Sequence, residues 1–321
     1  MQFRTFDELS SSMDADRLLV HLSSLGGAAD RRAVALWRQR SNALADYVGV
    51  FAVDAGHVVG QTLVKRLPYT FPDGTEIIGC VASVGTRPDR ARHGVARRLL
   101  EEVHRRERES GIRFVALWTN RSWGAHRLYE RLGYRDTYAF PWAVRPPRAR
   151  RTPPGRPSHV GPATASDLAE IERFHDRENA DRLGFCRRPP RTLRLAVTVG
   201  DIDPGRELLV ARSAGRIVGY ATVRSNSVRS LCGELVAANR AAAADLVRAV
   251  ELRAGTNAVA FQQTPVTDHL RLLRARGYAT LLDGWYVFMT LALDGAWNVR
   301  SAIATFRPDD PRFVCCEGDR F

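Results

Sequence analysis

The sequence predicts an α/β protein of two tandem lobes, each a mixed, mostly antiparallel twisted sheet flanked by helices. Three observations carry this expectation. Strand-like and helix-like apolar patterns alternate along the chain. The pattern of the first half returns, in order, in the second half. Between the halves lies "RPPRARRTPPGRP" (145–157), whose five prolines exclude a regular helix or central strand. The implied division is 1–144 for the first lobe, 145–158 for an extended linker, 159–293 for the second lobe and 294–321 for a C-terminal tail.

In the first lobe the strands are expected at 47–54, 57–67, 75–86, 113–119 and 135–144, with helices at 93–110 and 123–132. "FPDGTE" turns between the second and third strands, because Asp-Gly tolerates positive φ. Residues 77–84, "IIGCVASV", are nearly all apolar, as in a buried strand. In the helix that follows, Val95, Leu99, Leu100 and Val103 recur at helical spacing. The repeat sets "GHVVGQTLV" (56–64) against "GRIVGYATV" (215–223), and "AHRLYERLGY" (125–134) against "DHLRLLRARGY" (268–278). Leu99 thereby answers Leu246, and Gly133 answers Gly277.

Composition narrows the class of protein. At 321 residues and 45% hydrophobic, the chain is long enough for two packed cores. No run approaches the ~18 apolar residues of a membrane helix, and the N-terminus lacks an apolar signal core. A cytoplasmic location and no membrane partner are the default expectations. The five cysteines include no CxxC and no Cys/His pair at ligand spacing, so reduced thiols and no metal are expected. The net charge of +13 rests on 47 arginines and a single lysine, Lys65. Such a bias matches the codon usage of a GC-rich genome and does not by itself select an anionic partner. Neither lobe has zinc-finger spacing or the aromatic-rich strands that read nucleic acid, which is therefore not an expected partner. Self-association into a homo-oligomer is left open.

The chemistry concentrates in "TRPDRARHGVARRLLEEV" (86–103), where a buried strand turns into a helix. First-turn N–H groups of a helix carry partial positive charge and bind anions. Gly94 lets a ligand approach the backbone, and Arg90, Arg92 and Arg97 can add charge-assisted bonds. A purely structural helix entry would look similar from this stretch alone.

Thr86, Pro88, Gly94 and Ala96 in this register resemble the coenzyme loop of the GNAT acetyltransferase superfamily, with Ala91 standing where that family prefers Arg or Gln. "SWGAHRLYERLGY" (122–134) resembles the family's closing motif through Ala125, Leu128, Tyr129, Gly133 and Tyr134, with Ser122 replacing the usual Asn. The resemblance implies acetyl-CoA as cosubstrate. Its pyrophosphate would lie on Arg92, His93, Gly94, Val95, Ala96 and Arg97, its pantetheine on the backbone of Val84 and Thr86, with Ser122 nearby. It also implies that Tyr129 protonates the departing thiolate, a task suited to a phenol that stays neutral near neutrality. An amine would attack the thioester directly, and a preorganised N–H would stabilise the oxyanion.

The base that deprotonates the amine is less defined. Glu76 lies near a hairpin tip, and His126 is expected to point off the Tyr129 face. The order of two lobes and an extension is loosely similar to Eis-type tandem acetyltransferases. In that group the terminal carboxylate serves as base, which would assign the role to Phe321 here.

In the second lobe Gly94 is answered by Ala241 and Tyr129 by Leu273, so that lobe is expected to bind no acetyl-CoA and to shape the acceptor pocket. His175, Asp176, Glu178 and Asp181 could hold a polycationic amine there, or be ordinary surface charges. The leading function is transfer of an acetyl group to a primary amine of a small molecule. The alternatives are acetylation of a protein lysine and a catalytically weak CoA-binding regulatory protein.

Overall fold

The computed structural model describes residues 1–25, 47–72, 74–147, 159–184, 186–198, 200, 202–262, 267–281 and 283–294. Apolar alternation between residues 47 and 86 builds an antiparallel meander of β2 (Tyr47–Asp54), β3 (His57–Phe71) and β4 (Gly74–Thr86). Strand β1 (Gln2–Thr5) adds to its free edge, and α1 (Asp14–Leu25) crosses the face behind it. A crossover through α2 (Val95–Glu109) brings β5 (Phe114–Asn120) parallel to β4. Helix α3 (Gly124–Arg131) then leads to β6 (Arg135–Ala139) and β7 (Trp142–Arg145).

The second half repeats the plan. Strand β8 (Val160–Pro162) precedes α4 (Leu168–Glu178), α5 (Thr192–Thr198) and the meander β9 (Leu208–Ser213), β10 (Arg216–Ser225) and β11 (Arg229–Ala237). Helix α6 (Arg240–Ala254) crosses to β12 (Ala258–Gln262), which is parallel to β11. The half closes with α7 (Thr267–Ala275), β13 (Ala279–Leu281) and β14 (Tyr286–Ala292). The fold is α/β, with two mixed seven-stranded sheets flanked by helices.

The strand orders are β1-β2-β3-β4-β5-β14-β6 and β13-β7-β12-β11-β10-β9-β8. Each half therefore lends a strand to the other's sheet. Strand β14 lies between β5 and β6, and β7 lies between β12 and β13. The segment expected as one strand over 135–144 divides in two at Phe140–Pro141. Pro141 has no N–H to give a ladder, and the Phe140 N–H donates to the Tyr286 carbonyl at 3.0 Å. Arg145, read from the sequence as the first linker residue, is the last residue of β7. Its guanidinium is buried against Glu251, with Nη1 to Oε1 at 2.6 Å, and lies over the Tyr278 ring.

Packing follows from which face each strand turns to a helix. Val50, Ala52, Val64, Val81, Val115 and Leu117 meet Val95, Leu99, Leu100 and Val103 of α2. Gly60 permits this approach, since a Cβ there would lie 2.7 Å from Val95 Cγ1. In the second half Leu246, Val247 and Val250 of α6 pack on Val223, Cys232 and Val259. Residues 182–184 and 186–187 also cross back to the first sheet, where the Gly184 and Arg187 N–H groups donate to the Thr70 and Pro68 carbonyls.

Exchange of central strands interlocks the halves independently of the connection between them. Cleavage at a protease site inserted between residues 148 and 158 is therefore expected to leave both pieces in one peak on size-exclusion chromatography. Their separation without denaturant would show that the exchanged strands do not hold them.

Candidate active site

The site begins with a break in strand pairing. Gly79, Cys80 and Val81 of β4 pair with Val115, Ala116 and Leu117 of β5, and no pairing follows. Beyond Val81 the two strands part. A bulge lies in the same stretch of β4, where Ser83 and Val84 oppose Thr62 alone between the pairs Gln61–Gly85 and Leu63–Ala82. Ser83 takes the left-handed conformation, with φ +51°. Bulges bend a strand and release backbone groups from the ladder. Val84, one of the two positions expected to meet pantetheine, thus sits in the bulge at the edge of the gap.

Thr86, the other position, is pinned from behind. Its N–H donates to the Ser24 hydroxyl at 3.1 Å, and that hydroxyl donates to its carbonyl at 2.9 Å. Nothing in the sequence marked Ser24 for this task, because its partner lies 62 residues away.

After Thr86 a 3₁₀ turn at Pro88–Arg90 leads into an exposed loop, with Arg92 at φ +65° and Gly94 at φ +76°. Gly94 is the N-cap of α2, and among the described residues no side chain caps that helix. Its first-turn N–H groups are therefore left for solvent or an anion. The side chains around the loop are unequally free. Arg87 is forked onto Asp89, Arg90 meets Asp54 at 3.1 Å, and Arg97 meets Glu101 at 2.8 Å. Arg92 and His93 are exposed with no ion pair among the described residues. Ala91 is extended and exposed, and Arg92 is the cation next to it.

Tyr129 lies on the inner face of α3 and is 7% exposed. Its side chain joins the core cluster of Val81, Val95 and Leu117, against which Val84 packs. Burial pushes the phenol up to about 12. Its hydroxyl makes no hydrogen bond among the described residues. Beneath it, edge-on at 5.8 Å between centroids, is Tyr134, whose hydroxyl meets His104 Nε2 at 2.9 Å. Burial, helped by Arg108, lowers His104 to about 4 and keeps it neutral.

The remaining candidates do not gather around this point. Ser122 turns onto Asn120, whose Oδ1 accepts from its N–H at 2.9 Å and its hydroxyl at 2.7 Å. This turn starts α3, and the sequence reading missed Asn120. Glu76 stands at the opposite end of β4 from Val84, near Arg113, with its carboxyl raised by burial. His126 is buried against Asp136, with Nε2 to Oδ1 at 2.8 Å. Phe321 lies outside the described residues.

The acetyltransferase (GNAT) domain family matches residues 23–136, which span this loop and Tyr129. Residues 23–136 are thus a GNAT acetyltransferase domain. Solved structures share the fold over nearly the whole chain. A GCN5-related N-acetyltransferase from Kribbella flavida superposes with a TM-score of 0.63 at 20% identity, over 91% of this chain and 71% of its own. Eis1 from Mycobacterium abscessus gives 0.59 at 18% identity, over 92% and 74%. A probable N-acyltransferase from Enterococcus faecalis gives 0.68 at 11% identity, over 92% and 73%. No curated protein matches the chain in sequence.

The second lobe keeps the GNAT framework and lacks these features. Its parallel pairing also stops early, at Cys232–Phe261, and Gly233 bulges between the pairs Thr222–Glu234 and Val223–Cys232. Its crossover helix is closed by its own cap, because Asn239 Oδ1 accepts the Ala242 N–H at 2.9 Å. Leu273, at the place of Tyr129, is fully buried and has no proton to give.

Two outcomes follow for the GNAT lobe. Gly94→Val forces a β-branched residue into left-handed backbone, with a stability loss of about 1–2 kcal/mol in urea unfolding and weaker binding of acetyl-CoA. His104, lowered to about 4, makes the unfolded chain bind more protons between pH 6.5 and 4, so stability falls as pH falls through that window. Between pH 7 and 4.5 the natural protein is expected to lose about 2–3 kcal/mol more than His104→Gln. Equal losses in both would remove His104 from this account.

Proposed function

We propose that the chain transfers an acetyl group from acetyl-CoA to a primary amine of a small molecule, by direct attack of the amine on the thioester. The observation that carries this reading is the Tyr129 phenol. It is buried, neutral and without a hydrogen-bond partner among the described residues, in the same core cluster as the residues bordering the gap between β4 and β5.

Acetyl-CoA supplies an activated acetyl thioester when bound. The uncapped N–H groups at Gly94–Arg97, together with Arg92, suit the pyrophosphate. Val84 in the bulge offers backbone bonds to the pantetheine. N–H groups that a bulge releases from the ladder are donors suited to the oxyanion of the tetrahedral intermediate. Tyr129 donates a hydrogen bond from its O–H to the departing sulfur, and the proton lost by the attacking amine neutralises the thiolate. The ionised form is negligible at neutral pH, so the proton is present throughout the working range.

A thermal-shift and thiol-release assay tests this. Acetyl-CoA is expected to raise Tm in both the natural protein and Tyr129→Phe, while kcat falls at least ~100-fold in the variant. Because burial pushes the phenol to about 12, no decline of kcat traceable to Tyr129 is expected between pH 7 and 10. Unchanged turnover in Tyr129→Phe, or no stabilisation by acetyl-CoA, would overturn the reading. A panel of small amines beside a lysine-containing peptide identifies the acceptor class.

A further inference from the structure

A cavity of about 650 Å³ lies between α4 and α5 on one side and β9, β10 and β11 on the other, with Lys65 of β3 also in its lining. That volume lies within the ~300–1,000 Å³ of small-molecule sites. It lies beside the bulge at Gly233 and Glu234, on the face of the sheet opposite α6. The second lobe has therefore kept a cleft while lacking the uncapped loop and the phenol that would make it a transfer site.

The chemistry of the lining selects the occupant. At the floor, Glu234 is 3% exposed and ion-paired with Arg188. His175, 1% exposed, meets the Tyr220 hydroxyl at 2.6 Å, and burial lowers it to about 3, so it is neutral. The floor is thus compensated internally and calls for no cation. Two further acids are also engaged. Glu172 accepts the N–H groups of Arg191 and Leu193, and Glu207 accepts the Asp203 N–H and lies 3.6 Å from Arg224.

Arg173 and Arg191 are different. Both line the cavity, both are exposed and so stand at its rim, and neither has an ion-pair partner among the described residues. Against them stands one half-buried carboxyl, Asp176, which burial pushes towards its neutral form. The walls are apolar, from Ile171, Leu193, Ala196, Ile202, Leu208 and Leu231. A polycationic amine, which the acids of this segment suggested from sequence, meets the wrong balance of charge. Glu178 moreover faces Arg177, and Asp181 does not line the cavity.

We propose that this cavity binds a small organic carboxylate with a mainly apolar body, its carboxylate held by Arg173 and Arg191 and its body against Ile171, Leu193 and Leu208. Such a ligand joins the second lobe's helices to its sheet through one molecule, at a site separate from the Gly94 loop.

Isothermal titration with octanoate, 3-phenylpropionate, octylamine and octanol on the full chain tests the assignment. At least one carboxylate is expected to bind more than tenfold tighter than octylamine and octanol, and the better of the two identifies an aliphatic or aromatic body. Ala196→Trp, which fills the cavity, is expected to abolish binding. Arg191→Glu, at an exposed position that does not threaten folding, is expected to weaken it about tenfold. Carboxylate binding should persist in Tyr129→Phe and with acetyl-CoA present, so its outcome is independent of the transfer reaction. Octylamine binding as tightly as octanoate, no heat from either carboxylate, or an unchanged Kd in Arg191→Glu would each overturn the proposal.

Discussion

Seven antiparallel residue pairs tie β5 to β14, from Phe114–Ala292 to Asn120–Tyr286, whereas three parallel pairs tie β5 to β4. This asymmetry makes the site. A strand that leaves one neighbour must keep its backbone groups satisfied by the other. Trp118, Thr119 and Asn120 can turn away from β4 because Phe288, Val287 and Tyr286 hold their other edge. The Arg121 N–H extends the attachment to the Trp285 carbonyl at 2.9 Å, and its guanidinium bridges Asp136 and Asp283. The gap in the first sheet thus depends on a strand from the second half of the chain. The GNAT lobe is not structurally complete without residues 286–292.

The two halves show what a common framework leaves free to vary. Both sheets part after a short parallel ladder, and both carry a bulge where they part. They differ at the start of the crossover helix. Asn239 closes α6 with a side-chain bond of a kind that contributes about 1 kcal/mol. Gly94 forgoes that bond, and Arg92 before it sits in left-handed backbone that costs a further 1–2 kcal/mol or so. The first half thus carries strain and open donors where the second half has stability. Such local cost is the mark expected of a binding loop.

The sequence showed what is local. The meander, the crossover helix with Val95, Leu99, Leu100 and Val103 on its buried face, and the Gly94 entry all appear where apolar period and turn residues put them. The place of Tyr129 on the buried face of α3 was legible because its spacing from Gly133 is fixed within one short helix and its cap. The exchange of β7 and β14 was not legible. Both are short strands, of four and seven residues, and alternation in a strand does not say which edge it joins. Arg145 looked like linker because its partners, Glu251 and Tyr278, lie more than a hundred residues on. Ser24 and Asn120 escaped for a related reason, since each acts through a pair of hydrogen bonds that no periodicity records.

The environment of Tyr129 also constrains the proposed chemistry. Its phenol, at about 12, is raised by burial alone, and the nearby His104 is neutral and lends no positive charge to lower it. A thiol ordinarily titrates near 8.5. Complete proton transfer from this phenol to a thiolate is therefore uphill by about 5 kcal/mol. A hydrogen bond from the phenol, strengthening as charge gathers on sulfur, carries no such penalty and acts where the barrier is highest. Tyr129 is better suited to hold its proton against the leaving sulfur than to surrender it early. The proton that finally neutralises the thiolate is then most economically the one lost by the attacking amine. In that case the rate should follow the fraction of acceptor present as free amine, and Tyr129 should leave no inflection of its own below pH 10.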